Sequence, residues 1–248
     1  MNDPLANRYT STQTRSEVAT NAGLRKYMLG IYNYMASGVL LTGVVSLLTH
    51  MLAVDASSQT GLTALGEAIY LSPLRYVLMF APLAFVLVLS FGIQKLSQSM
   101  TQAMFWLFAA VMGVSISWIF LAYTGASVAR VFFITSAMFG ALSLWGYSTK
   151  RDLSGMGTFL FMGVIGLLIA SIVNMFLGSS ALQWAISVLG VGIFAGLTAY
   201  DTQRLRNMYF QLEGTSFMGK AMIMGALSLY LDFINMFMFL LQLLGSRE

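Results

Sequence analysis

The sequence predicts an all-α polytopic membrane protein with seven transmembrane helices. Two observations carry this. The chain is 58% hydrophobic and only 9% charged, against roughly 25% charged in an average soluble domain, so it has too few charged groups to cover a soluble surface. Those charges also delimit uncharged apolar stretches of the length a bilayer requires, about 20 residues. The same composition excludes a disordered chain, which needs low hydrophobicity and high charge. A net charge of +4 without a basic run offers nothing for nucleic acid. There is no Cys, hence no disulfide scaffold.

The elements follow from the gaps between charges. Residues 27–54 lie uncharged before Asp55, 76–94 between Arg75 and Lys95, 96–129 between Lys95 and Arg130, and 131–149 before Lys150. Residues 153–200 are uncharged throughout and long enough for two helices, with Gly178-Ser179-Ser180 as the natural break. Residues 221–246 carry one charge, Asp232. The predicted helices are about 27–50, 74–95, 102–123, 128–147, 156–177, 181–205 and 221–243. Pro73 suits a first-turn position, and Pro82 inside helix two predicts a kink. Tyr27, Tyr70, Tyr76, Tyr123, Trp145, Tyr147, Trp184 and Tyr209 fall near span ends, as an aromatic belt would. Gly192 and Gly196 form a small-xxx-small step that predicts close helix packing.

Residues 1–26 are polar and lack an apolar h-region, so no cleavable signal peptide is expected. They read as a polar cytoplasmic N-terminal tail, with 27–248 as a single membrane domain. An N-terminus inside puts Arg8, Arg15, Arg25, Lys26, Lys95, Lys150, Arg151, Arg204, Arg206 and Lys220 on the inner side. Only Arg75, Arg130 and Arg247 then lie outside. That asymmetry predicts an N-in, C-out multi-pass protein. A three-plus-three-plus-one arrangement of helices is compatible with the chain, although no sequence repeat is visible.

Most enzyme constellations are absent. His50 is the only histidine, there is no Cys nucleophile, and the tandem glycines lie inside spans. The 18 methionines are dispersed and read as adaptable core filler. Two carboxylates stand out. Asp232 lies roughly 17 Å into a ~30 Å hydrocarbon core, where a carboxylate costs about 2.5–3.5 kcal/mol, so it is a functional candidate. Ser228 and Asn235 share its face at helical spacing. Asp201 ends the apolar part of helix six, and Arg204 follows at i+3, so a plain interfacial ion pair is an equal reading. By spacing, Asp201 lies nearer the inner surface and Asp232 nearer the middle, so contact between them is not required. If they do meet in a low-dielectric site, both cannot ionise cheaply, and they would share a proton. Ionised carboxylates with amide and carbonyl oxygens also suit calcium.

Leu227-Ser-Leu-Tyr-Leu-Asp232-Phe-Ile-Asn235-Met-Phe resembles the seventh-helix signature of the Bax inhibitor-1 (transmembrane Bax inhibitor motif) family. Tyr200-Asp201-Thr-Gln203 resembles its sixth-helix signature, and Gly113-Val-Ser115-Ile-Ser a weaker third. The resemblance covers about residues 25–245 and looks most like bacterial members. It implies helix seven at the centre of two three-helix layers. It implies a pH-sensitive calcium (cation) leak channel or transporter, gated by an aspartate pair that carries over to Asp201 and Asp232. Those two would sense protons and bind calcium, with Asn235 as a supporting ligand. The basic residue that latches the pair in relatives falls at about Lys95, where lysine keeps the charge but loses the bidentate fork. Gln242 replaces a basic residue of many relatives, so no outer ion pair is expected. The alternative the resemblance implies is a non-conducting membrane regulator. Its partner would be a membrane-anchored AAA protease or a cell-death or stress-response protein, and residues 1–26 would be the binding segment. No cofactor beyond a calcium ion and no enzymatic activity are expected, since Asp232 lacks the Gly-x-Gly-Asp context of an intramembrane protease. The expected location is a bacterial inner (cytoplasmic) membrane.

Overall fold

The structure, a computed structural model, describes residues 4–247, with side chains from residue 20 onward. Seven helices among the described residues are long and apolar enough to cross a membrane. They are α1 (Pro4–Ala53), α2 (Leu74–Gly92), α3 (Gln98–Ile116, continued after a turn by Ile119–Ala122), α4 (Gly125–Ser148), α5 (Ser154–Leu177), α6 (Ser180–Leu212) and α7 (Met218–Leu244). The sequence-predicted ends hold to within a few residues for most of them. Local chemistry explains the starts. Ser97, Thr124 and Ser179 each cap a helix by accepting the N–H three residues on. Gly178, at φ +62°, ends α5 in the left-handed conformation that glycine permits. Pro73 is the residue before α2 and Pro82 lies within it.

Three boundaries differ from expectation. α1 is helical from Pro4, so the polar segment continues the first span rather than forming a separate element; its side chains before residue 20 lie outside those described. α6 runs on to Leu212, well beyond the apolar run, and α7 begins earlier, at Met218. Both helices therefore outlast the hydrocarbon. At 1.5 Å per residue, the 33 residues of α6 extend about 50 Å and the 27 of α7 about 40 Å.

The helices sort into two layers. In one, α3 packs between α1 and α2; in the other, α6 packs between α4 and α5. The order is the same in both, which realises the three-plus-three-plus-one arrangement. α7 packs against α1, α3, α4 and α6 and joins the layers. In its most apolar window 56% of residues are buried, against 11% for α2 and 17% for α5, so α7 is the centre and α2 and α5 face lipid. The core follows α7, through Leu229, Tyr230, Met236 and Leu241, against Ile31 of α1, Phe105 and Phe108 of α3, and Leu205 of α6.

Two expectations about side chains need correcting. Tyr76, Trp145 and Trp184 are exposed as a belt requires, but Tyr27, Tyr123 and Tyr209 are buried. Tyr27 and Tyr209 pack on one another at 5.7 Å between ring centroids, because the start of the apolar part of α1 meets the C-terminal part of α6 there. Gly196 does admit Leu160 of α5, but Gly192 faces open space, so only half of the glycine step is a packing device. The residues after α7 are tied back: Thr124 N–H donates to Ser246 O at 3.1 Å, and Ser246 N–H to Ser127 Oγ at 2.9 Å.

Candidate functional site

Asp201 and Asp232 are both buried, at 6% and 5% exposure. Helix register explains how residues of different predicted depth come to similar levels in the bundle. Ser228 of α7 donates its hydroxyl to Asp201 Oδ2 of α6 at 2.7 Å. Ser228 lies one helical turn from Asp232, so Asp201 sits only about 6 Å from the level of Asp232 along the bundle. The depth difficulty disappears because α6 and α7 run antiparallel with unequal overhangs. Asp232 lies within the electrostatic reach of both Asp201 and Arg204.

The remaining partners are polar and few. Arg204 pairs with Asp201, Nη2 to Oδ1 at 3.4 Å, and donates from the same nitrogen to Ser228 Oγ at 3.2 Å. Its guanidinium also lies over the Tyr200 ring, 5.8 Å from the centroid. The i+3 ion pair is thus present, and Ser228 links it across to α7 one turn from Asp232. Asp232 Oδ2 is different: it is buried and has no hydrogen-bond partner among the described residues. A buried carboxylate oxygen without a donor costs several kcal/mol unless a proton or a cation sits on it.

The other predicted site residues are not in this cluster. Lys95 is exposed after α2, with its backbone N–H on Gly92 O at 2.9 Å, and its ammonium has no hydrogen-bond or ion-pair partner among the described residues. The cation beside Asp201 is Arg204, one turn along the same helix. Lys220 of α7 instead holds the end of α2, donating to Ile93 O and Leu96 O at 3.1 Å each. Asn235 donates to Leu231 O one turn back at 2.8 Å, so its amide nitrogen is spent on its own helix.

Around the pair the sequence builds a rigid frame. A Cβ on Gly146 of α4 would run into the backbone of Ala199, so this glycine lets α4 and α6 touch two residues from Asp201. Hydroxyls then link three helices. Tyr32 of α1 meets Ser143 of α4 at 2.6 Å, Ser143 meets Thr202 of α6 at 2.9 Å, and Thr202 donates to Thr198 O at 2.8 Å. Gln203 spans the α4–α5 loop with both ends of its amide. Leu153 N–H donates to Oε1, and Nε2 donates to Arg151 O, each at 2.8 Å. On the other side of α7, Tyr230 meets Thr42 at 2.6 Å, and Thr42 donates to Ala109 O at 2.8 Å. At the far end, Gln183 and Ser187 donate to Gln242 Oε1 at 2.6 and 3.0 Å, a neutral cluster where no ion pair was expected. Sequence reasoning missed the Tyr32–Ser143–Thr202 chain and the Thr42–Tyr230 bond. Each residue alone is an ordinary hydroxyl in an apolar helix, and only the rotation of the helices joins them.

Comparison with known proteins agrees with this architecture. The family model described as inhibitor of apoptosis-promoting Bax1 matches residues 24–248. The chain is 47% identical to Escherichia coli inner membrane protein YbhL over 236 residues, covering 94% of this chain and 97% of that protein. It is 44% identical over 240 residues to an uncharacterized protein of Rickettsia prowazekii, covering 96% and 97%. It is 35% identical over 229 residues to an uncharacterized membrane protein of Streptococcus pyogenes, covering 92% and 96%. The chain is a multi-pass integral membrane protein of the Bax inhibitor-1 family.

Proposed function

We propose that this protein is a proton-sensitive cation leak pathway, calcium above all, gated by Asp201 and Asp232. The observation that carries the reading is the unpartnered Oδ2 of Asp232, buried beside Asp201 and Arg204. An ionisable group inside a membrane bundle marks an ion or proton pathway by default. A shared proton closes the gap between two carboxylates. Its loss sets two like charges against each other in a low-dielectric site. The hinge of the response is α6 against α7, the helices that Ser228 and Arg204 tie together.

Calcium takes six to eight oxygen ligands. In the arrangement described, both oxygens of Asp201 are already engaged by Ser228 and Arg204. The described residues contain no cluster of three or more His, Asp or Glu. Calcium is therefore read as cargo that passes once Arg204 withdraws, with Asp201 and Asp232 as its transient ligands, rather than as a resident ion. Arg204 takes the latch role that the family resemblance assigned to Lys95. The membrane is read as a bacterial inner membrane, as for YbhL, with the N-terminus inside.

The test is calcium flux into proteoliposomes at pH 6, 7 and 8. Wild type should show a pH-dependent flux, and Asp232→Asn should abolish the flux or its pH response. A wild-type protein that passes no calcium at any pH would end the channel reading and turn attention to partner binding.

A further inference from the structure

Joining two three-helix layers through one central helix leaves a seam. α1 and α4 flank α7 but scarcely touch each other. Between them lie two cavities, of about 540 and 290 Å³. Val39, Phe132 and Phe233 line both, so the cavities meet there and form one cleft with α7 as its floor. Leu40, Phe133 and Leu144 along its rim are exposed, so the cleft opens sideways into the bilayer. Along α4 it runs from Leu144 to Gly125, about 29 Å at helical rise.

Two further observations distinguish this cleft from loose packing. Gly43, Gly125 and Gly140 line it, and a Cβ on any of them would meet nothing within 4 Å. The lining is thus kept open where a methyl group would fit at no cost. Second, one end is polar and unsatisfied. Ser46, only 1% exposed, lines the smaller cavity, and its hydroxyl has no partner among the described residues. One turn further along α1, His50 Nδ1 is likewise buried and unpartnered. The His50 ring lies 5.5 Å from that of Phe120, which lines the same cavity. An empty apolar cavity needs no ligand, but an orphaned hydroxyl on its wall, with an orphaned ring nitrogen one turn behind it, calls for a polar group at that end.

We infer that this cleft binds a long-chain fatty acid drawn from the bilayer. The alkyl chain lies along Val39, Phe132 and Phe233, and the carboxyl group meets Ser46 Oγ and His50 Nδ1. The sizes fall within the range of small-molecule sites. A single chain fits a one-helix-wide seam, and a carboxyl group both donates and accepts, as a hydroxyl and an imidazole together require. The inference does not rest on ion conduction, and a protein that passed no calcium would leave it standing.

The test uses the full chain in nanodiscs with a diazirine-bearing palmitate as the probe. Cross-links should map to α1, α4 and α7 around Val39, Phe132 and Phe233. Excess palmitate should compete them away, and added phosphatidylethanolamine should not. Ser46→Val with His50→Phe should weaken labelling about tenfold or more, the equivalent of two modest hydrogen bonds. Gly43→Leu with Gly140→Leu should fill the cleft and abolish labelling while leaving helicity and gel-filtration behaviour unchanged. Cross-links spread around the whole lipid-facing perimeter would overturn the inference. So would equal competition by phosphatidylethanolamine, or labelling indifferent to both variant pairs.

Discussion

Asp201 and Asp232 have similar burial but unequal company, and that inequality sets what each substitution should do. Asp201 accepts from Ser228 and pairs with Arg204, whereas Asp232 Oδ2 has no partner. Ser228→Ala removes the donor to Asp201 and should cost about 1–3 kcal/mol, read as a lower melting temperature in detergent. Asp232→Asn removes the group that cannot be satisfied without a proton. It should raise the melting temperature at alkaline pH, where the wild-type pair is driven apart, while abolishing the pH response of flux. Outside the membrane, Asp152 behaves differently. Its Oδ1 accepts the Ser154 N–H at 2.9 Å, and this hydrogen bond holds its carboxyl below the usual value of 3.8. A depressed carboxylate stabilises above its unfolded value and loses that contribution as pH falls through the folded one. The protection factor of the Ser154 amide, its exchange relative to the intrinsic rate at each pH, should therefore fall only below about pH 4, and a fall between pH 5 and 7 would contradict this. Asp201 and Asp232 were legible from sequence because a carboxylate in an apolar run is conspicuous. Arg204 was visible only as a neighbour at i+3.

Among elements, α4 carries two glycines with opposite roles. Gly146 seats α4 against the backbone of Ala199, while Gly140 faces open space six residues earlier. Gly146→Leu must push α6 away beside Asp201 and should destabilise by about 1–3 kcal/mol or more, the range of overpacked cores. Gly140→Leu should be neutral or slightly stabilising, because leucine favours helix over glycine by about 1 kcal/mol. Thermal denaturation of the two variants side by side checks the pair, and equal losses would show that α4 packs otherwise. Sequence presents both as glycines in a spanning helix. Gly192 shows the same limit, since its spacing to Gly196 predicted a contact that only Gly196 makes.

At the scale of the molecule, the same packing order in both layers leaves α7 as the main strut between them, with α1 also touching α6 at Tyr27 and Tyr209. Any change in the α6–α7 contact is therefore a change in how the layers sit on each other, which is where a gate would act. The chain contains no Cys, so single cysteines report topology without background removal. With the N-terminus inside, Ser57→Cys should react with a membrane-impermeant maleimide on intact cells, and Gln94→Cys only after permeabilisation. The opposite pattern would invert the orientation and place the aspartate pair near the outer face.

The sequence alone determined the class, the number of spans and most of their ends. A bilayer offers the backbone no hydrogen bonds, so each crossing must be an uninterrupted apolar helix, and charges mark where crossings stop. It also singled out the two aspartates. Only the tertiary structure decided that Asp201 and Asp232 lie one turn apart across α6 and α7. It also replaced Lys95 by Arg204 as the nearby cation, buried Tyr27 and Tyr209 together, and left an open cleft between α1 and α4. The physical reason is common to all four. Lipid is as apolar as leucine, so hydropathy sets how deep a helix lies but not its rotation about its own axis. Rotation and register are settled by small residues, hydroxyls and overhanging helix ends, whose partners lie far away in the chain.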